Sequence, residues 1–312
     1  MIKINKYDIL AIVLDAIFII AVSLLFYLSK EIKTSKVVYI PSGSINQIIT
    51  YLEQRNFEVS RLDSFLIRFF GSPQSGWINI GKIRLSKGDF LYRVTHSKAP
   101  LISIELIPGE TKEIFFRELS KRLNLSVKKL EKSYDNLTDI KDGVILPNTY
   151  KVPMGISERH LMLYLARGSL KKHKLLSEKI FGNYDKKKWF GYISMASIIQ
   201  KEAASKADMS DISAVIHNRL KKGMKLQMDG SLMYGLYSHS KITAKRIRED
   251  NSEYNTYKIK GIPKDPLCSV SLEAIKAAIF PSKKKYLYFV KGKGKKHLYS
   301  NSYKRHLKNI RR

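Results

Sequence analysis

The amino-acid sequence predicts an α+β protein carried on a single N-terminal transmembrane helix, and three observations predict it. An apolar run from Ile9 to Leu28 is long enough to cross a bilayer. Short β-branched runs alternate with amphipathic stretches between Val37 and Val94. A series of helical segments from Ser157 to Lys221 then precedes two aromatic-rich runs within Tyr286–Ser300 that read as a β-hairpin.

The run ILAIVLDAIFIIAVSLLFYL, Ile9–Leu28, holds twenty residues and one charge. At 1.5 Å rise per residue it covers about 30 Å, the thickness of the hydrocarbon core. Asp15 lies mid-span, where a carboxylate costs on the order of 2.5–3.5 kcal/mol, which the surrounding Leu, Ile, Val and Phe outweigh. A cleaved signal peptide is the alternative; its apolar region is shorter, about 7–15 residues, and ends at a small-residue site of a kind absent here. Lys3 and Lys6 precede the run and Lys30, Lys33 and Lys36 follow it, so flanking charge does not fix the orientation. Since no later stretch is comparably apolar, a retained anchor leaves all the remaining residues on one side of the membrane.

Beyond a charged linker at 30–36, VVYI, an amphipathic run Ile45–Leu52, a helical stretch Asp63–Phe70 and the strand-like alternation of Trp77, Asn79 with Ile78, Ile80 suggest a small α+β module. A strand Leu101–Ile107 runs through Pro108-Gly109-Glu110 into a helix whose Ile114, Phe115, Leu119 and Leu123 share a face. The Pro and Gly residues of GVILPNTYKVPMG predict a loop. Helices are expected at about 157–174, 186–205 and 209–221. The G-x-G at Gly292 and Gly294 reads as turn chemistry, because no strand-to-helix transition follows it.

The chain carries 57 Lys+Arg against 27 Asp+Glu, a formal +30, with clusters at 186–188, 283–285 and 291–296. Such a balance draws anionic partners: nucleic acid, an anionic membrane surface or an acidic wall polymer. A generally basic proteome gives the same balance. No helix-turn-helix, zinc-finger or RNP signature accompanies the charge, which argues against nucleic acid. Cys268 stands alone, and the seven histidines show no H-x-H or H-E-x-x-H spacing, so neither an intrachain disulfide nor a metal or cofactor is expected.

The centre of interest is SMASIIQKEAAS. Met195, Ile198, Ile199 and Glu202 fall at i, i+3, i+4 and i+7, one face of a helix, so Glu202 continues an apolar stripe while Gln200 and Lys201 point elsewhere. A carboxyl pushed toward a core or cleft wall loses hydration and its pKa rises, as a catalytic acid working near neutral pH requires. The plainer alternative makes Glu202 the wet end of the stripe, paired with Lys206 at i+4.

MASIIQKEAAS, VIHNRLKKGMKLQMDGSLMYG, EYNTYKIKGIP, SLEAIKAAIFPSKKKYLYFV and the closing H-x-Y-S-N, with His306 nine residues after His297, together resemble the consecutive signatures of the endolytic murein transglycosylase, or YceG-like, family. PGETKEIFF and LPNTYKVP fit its layout more loosely. The resemblance implies a lytic transglycosylase in which the last acid of an E-K-E motif, here Glu202, is the catalytic acid and base; this chain has Gln200 at the motif's first acid. It implies cleavage of the MurNAc-GlcNAc β-1,4 linkage of peptidoglycan to leave a 1,6-anhydro-MurNAc end, which terminates the elongation of nascent strands. Substrate-binding roles are implied at motif positions Asn218, Gln227, Asp229, Tyr254, Asn255, Thr256 and Tyr257. Asn218 reads equally as a brace, Asp229 as a turn residue before Gly230, and Gln227 with the 254–257 run as loop structure. The segment 264–270 is poorer in Pro and Gly than the family's, and Leu307 replaces a polar residue.

The expected organisation is a short segment 1–7, an anchor 8–29, a linker 30–36, a LysM-like membrane-proximal subdomain 37–98, and a mostly helical catalytic domain 99–312 that ends in a β-hairpin. The implied setting is the outer side of the cytoplasmic (inner) membrane, as a single-pass protein. Peptidoglycan glycan strands are the implied substrate, with peptidoglycan synthases as candidate partners. The LysM-like part reads either as a glycan binder or as a spacer. A non-catalytic wall-binding scaffold and a membrane-tethered nucleic-acid binder are the alternative functions.

Overall fold

The computed structural model describes residues 5–292 and 296–311. Gly294 of the expected turn and Lys3 lie outside the described residues. The structure is mostly helical with four two-stranded sheets among the described residues. It divides into two compact units, Met1–Ile102 with Lys151–Ser157, and Ser103–Tyr150 with Glu158–Arg312.

In the first unit, α1 (Lys6–Ser29) holds the apolar run and buries none of its residues. At 24 residues it is long and apolar enough to cross a membrane. Strand β1 (Glu31–Lys33) pairs antiparallel with β4 (Arg84–Ser86), and β2 (Val37–Ile40) with β3 (Gly76–Asn79). Helix α2 (Ile45–Glu53) starts where Ser44 accepts the Gln47 N–H while the Gln47 amide reaches back to the Ser44 N–H at 2.8 Å, a reciprocal cap. Helices α3 (Arg61–Phe70) and α4 (Lys87–His96) complete the unit. Ile40, Leu52, Ile67, Ile78, Ile80 and Phe90 form its core, so the alternation at 78 and 80 does point inward.

The second unit is built on helices. Strand β5 (Leu101–Leu106) leads to α5 (Lys112–Leu123), which stops at Asn124 in the left-handed region (φ 53°), and then to α6 (Val127–Asp135). The sequence predicts a loop over GVILPNTYKVPMG, but Asn148–Pro153 forms strand β6, paired with β5. Pro153 is the last residue of that strand, where its missing N–H interrupts no ladder. The helix expected at 157–174 is longer and interrupted: α7 (Glu158–Met162) passes through a π-helical turn, Leu163–Arg167, into α8 (Gly168–Phe181), ended by Gly182 at φ 77°.

Helices α9 (Lys186–Glu202), α10 (Met209–Lys221), α11 (Ala244–Glu249) and α12 (Leu272–Ile279) follow. The antiparallel pair β7 (Tyr288–Lys291) and β8 (His297–Ser300) and helix α13 (Tyr303–Ile310) close the chain. Helix α9 packs on α12 and α10 through Ile193, Ile198, Ile199, Ile212, Val215, Ile216 and Ile275, all buried. It is capped by Asp185, which accepts the Lys188 N–H at 3.0 Å, and it ends at Glu202, three residues short of the expected Ser205.

Candidate active site

The site grows from the end of α9. Met195, Ile198 and Ile199 are buried, as their spacing predicts, and the next member of that face, Glu202, is the last helical residue and is partly buried. Its Oε1 accepts the Gly230 N–H at 2.7 Å. Gly230 belongs to a 3₁₀ turn, Asp229–Leu232. A Cβ at 230 would lie 2.8 Å from Lys201 Cβ and 3.0 Å from Glu202 Oε1, so only glycine lets that backbone reach the carboxyl. Burial pushes the Glu202 pKa from the usual 4.5 up to about 7; the Gly230 hydrogen bond opposes the rise and the charge of Asp229 adds to it. Lys206, the alternative partner for Glu202, is instead bonded to Glu273 at 2.6 Å.

Beside the carboxyl, the Tyr257 hydroxyl donates to Asp229 Oδ1 at 2.6 Å. Burial, then that bond, pushes the Tyr257 phenol well up, and the Glu202 charge acts in the same direction. Exposed Asp229 and Gln227 flank buried Met228. Gln227 adopts φ 50°, a left-handed conformation uncommon for a residue with a side chain.

Family models match the chain as YceG-like over residues 38–312. The chain belongs to the YceG-like family. It is 26% identical to the endolytic murein transglycosylase of Bacillus subtilis (strain 168), over 95% of this chain and 90% of that protein. It is 34% identical to the endolytic murein transglycosylase of Streptococcus pneumoniae (strain D39) across 125 residues, 38% of this chain and 22% of that one. A crystal structure of a YceG-like protein from Listeria monocytogenes superposes with a TM-score of 0.58 at 26% identity, covering 88% of this chain and 99% of that one.

In this YceG-like chain the remaining motif residues hold the site rather than line it. Asn255 is buried: its amide donates to Ile247 O at 2.9 Å and Asp250 O at 2.8 Å, and its Oδ1 accepts the Tyr257 N–H at 3.1 Å. Thr256, also buried, accepts the Met228 N–H at 3.0 Å and meets Ser231 Oγ at 2.9 Å, while its carbonyl accepts the Gln227 N–H at 3.1 Å. Tyr254 stacks on Tyr234 with centroids 4.5 Å apart. Asn218 donates to the carbonyls of Lys284 and Tyr286, each at 2.9 Å, the bracing role its position on α10 allows. The structure thus brings Glu202, Asp229, Gly230 and Tyr257 together; Tyr254, Asn255 and Thr256 sit behind them, and Asn218 ties α10 to the segment entering β7.

Several positioning residues escaped the sequence reading. Arg219 donates from Nε to Leu287 O at 2.7 Å and from Nη1 to Leu226 O at 2.6 Å, fastening the loop before Gln227 to the hairpin. Asp208 accepts from His297 and, at 2.5 Å, from the Tyr299 hydroxyl, and also accepts the Ala204 N–H at 3.4 Å, two residues from Glu202. Ser194 Oγ donates to Pro263 O at 2.7 Å, and Ser197 Oγ accepts the Leu267 N–H at 2.9 Å, pinning the 263–268 loop to α9. Gln200 accepts from the Ser271 N–H and hydroxyl at 3.1 and 2.7 Å, at the start of α12 and away from the Glu202 carboxyl's partner.

A second acid, Asp142, is pushed to about 8 by burial and by the Glu113 charge. It accepts the N–H groups of Lys112 and Gly143 at 2.8 and 2.6 Å inside the core, where no polymer can reach it. An open cavity of about 480 Å³ adjoins the far end of the Gly230 turn. Tyr234, Tyr237, Arg246 and Asp250 line it, with the Arg246 guanidinium 3.5 Å over the Tyr237 ring and its Nη2 donating to Leu232 O at 2.7 Å.

Proposed function

We propose that this chain is an endolytic peptidoglycan transglycosylase whose acid and base is Glu202. The observation that carries the reading is a carboxyl at a helix end, its pKa raised by burial to about 7, anchored through one oxygen by a backbone N–H. An oxygen that accepts from Gly230 leaves its partner, Oε2, to bear the proton. The named activity of two relatives supports the same reading.

In this mechanism the Oε2 proton passes to the oxygen between N-acetylmuramic acid and N-acetylglucosamine as an oxocarbenium-like centre develops at C1. The carboxylate then takes the proton of the muramoyl C6 hydroxyl, which attacks C1 and closes a 1,6-anhydro ring. One group therefore gives a proton and recovers one, and water is not consumed. Gln227, Asp229 and Tyr257 are the motif residues that orient sugar hydroxyls in this reading, and the cavity beside Tyr234 and Tyr237 has room for a neighbouring sugar. Asn218, Tyr254, Asn255 and Thr256 serve as supports.

The cellular setting belongs to the same proposal. Helix α1 anchors the protein in the cytoplasmic membrane with residues 30–312 outside, where they reach nascent glycan and end its elongation beside the synthases that make it. Residues 37–98 are the LysM-like subdomain of this reading, a glycan binder or a spacer, and 99–312 the catalytic domain. The test incubates the full chain with purified glycan strands and weighs the products. Anhydro-muramoyl ends made by the parent and absent with Glu202→Gln are the expected result; reducing ends, or no cleavage with intact binding, would instead identify a hydrolase or a scaffold.

A further inference from the structure

Helix α3 has two apolar faces. Ile67 packs inward with Asp63 and Ser64. On the other side Leu62, Phe65 and Phe69 are 64%, 64% and 87% exposed. At 3.6 residues per turn these three fall within an arc of about 60°, opposite the buried side. An unpartnered stripe of two phenylalanines and a leucine on a ten-residue helix is costly in water and marks a contact surface.

The structure also fixes where that stripe sits. Residues 6–26 of α1 are exposed along their whole length, and partial burial begins at Tyr27 and Leu28. The Tyr27 hydroxyl lies 3.0 Å from Ser60 Oγ and donates to Asp63 Oδ1 at 3.0 Å, the first turn of α3. Lys87 Nζ donates to the same hydroxyl at 3.0 Å and pairs with Asp63 at 3.4 Å, in a buried cluster. Leu28 packs on the core beside Gly88, where a Cβ would stand 3.5 Å from Leu28. The last turn of the span is thereby clamped to α3 and α4. Asp63 and the first turn of α3 thus lie beside the C-terminal end of the apolar run. The exposed face of α3 is therefore carried next to the end of the span.

We propose that Leu62, Phe65 and Phe69 insert into the outer leaflet of the membrane that α1 crosses, so that α1 and α3 together hold the first unit flat on an anionic lipid surface. Arg61 and Arg68, exposed on the same helix, meet the lipid phosphates; the Arg68 guanidinium already lies 5.7 Å from the Phe65 ring. The proposal rests on α1 being a membrane span.

The test places one spin label at a time, through Phe65→Cys, Phe69→Cys, Ile19→Cys or Leu272→Cys, on the full chain in vesicles of phosphatidylethanolamine and phosphatidylglycerol. Cys268 is buried and escapes labelling. Collisions with oxygen, which concentrates in lipid, are compared with those of a water-soluble nickel chelate. Labels at 65 and 69 should favour oxygen and be shielded from nickel, as at 19, while the label at 272, on a residue 45% exposed in the second unit, should favour nickel. Nickel access at 65 and 69 equal to that at 272, or spin–spin broadening from a second copy, overturns the proposal while a lipid-like label at 19 keeps the anchor. A water-like label at 19 overturns both.

Discussion

Replacing Glu202 by Gln tests the site through stability as well as activity. The carboxyl titrates near 7 in the folded chain against 4.5 ordinarily. That difference of 2.5 pH units is about 3.4 kcal/mol at 1.36 kcal/mol per unit, and solvent screening of a partly exposed group lowers it to roughly 2 kcal/mol. The unfolded chain loses this proton as pH rises through 4.5, whereas the folded chain keeps it until about 7. Native stability therefore falls between those values and is level above them. Glutamine fills the same volume, still accepts the Gly230 N–H, and does not ionise. Glu202→Gln should match the parent at pH 4 and exceed it by roughly 2 kcal/mol at pH 8, about 4–8 °C in midpoint for a unit of this size. Thermal unfolding of both proteins at pH 4, 6 and 8, with glycan cleavage measured on the same samples, reads both quantities. A stability difference that does not change with pH, or a variant that still cleaves, refutes the assignment.

Four further variants separate the acid from its supports. Gly230→Ala drives a Cβ against Lys201 and the Glu202 carboxyl, costing about 1–3 kcal/mol by overpacking and at least tenfold in cleavage, read by denaturant unfolding and product yield. Arg219→Lys cannot serve Leu287 O and Leu226 O together, so stability should drop by about 1–3 kcal/mol, with cleavage lowered at saturating glycan. Asn255→Ala leaves the carbonyls of Ile247 and Asp250 without their donor at roughly 1–3 kcal/mol, and lost activity should track the unfolded fraction rather than a raised KM. Gln200→Glu keeps an acceptor for Ser271 and should leave cleavage within about threefold of the parent, whereas a large gain would show that the missing acid acts on the reaction.

The sequence carried the helices of the second unit and the face of Glu202, because a 3.6-residue apolar period survives wherever a helix lies on a core. It did not carry what that face meets. Gly230 follows Glu202 by 28 residues, and nothing local in MDGSLMYG says that its N–H closes on a carboxyl. Asn255 and Thr256 carry the chemistry of sugar ligands, and only the fold reveals that backbone groups already occupy their polar atoms. Arg219 reads as one more charge on a basic helix, although it is nearly buried between a loop and a strand. Strand β6 was hidden for another reason: Pro147 before it and Pro153 at its end signal a loop, and the partner that makes it a strand lies some forty residues upstream.

In the proposed reaction one residue releases a proton and then reclaims it, which works best when its two forms are nearly equal in energy, and at the end of α9 opposing effects act on Glu202. Burial and the charge of Asp229 both disfavour the carboxylate. As the last residue of a seventeen-residue helix, Glu202 also stands at the negative end of the backbone dipole, which acts in the same direction. Against these stands the Gly230 N–H, which favours the anion and leaves one oxygen free. A turn earlier Ile198 and Ile199 are fully buried, whereas residues 205–207, past the helix end, are exposed. Asp208 meets the chain where the helix stops: its carboxylate takes the Ala204 N–H while His297 and Tyr299 hold it from the hairpin. The C-terminal hairpin thus reaches, through Asp208, the backbone that follows α9.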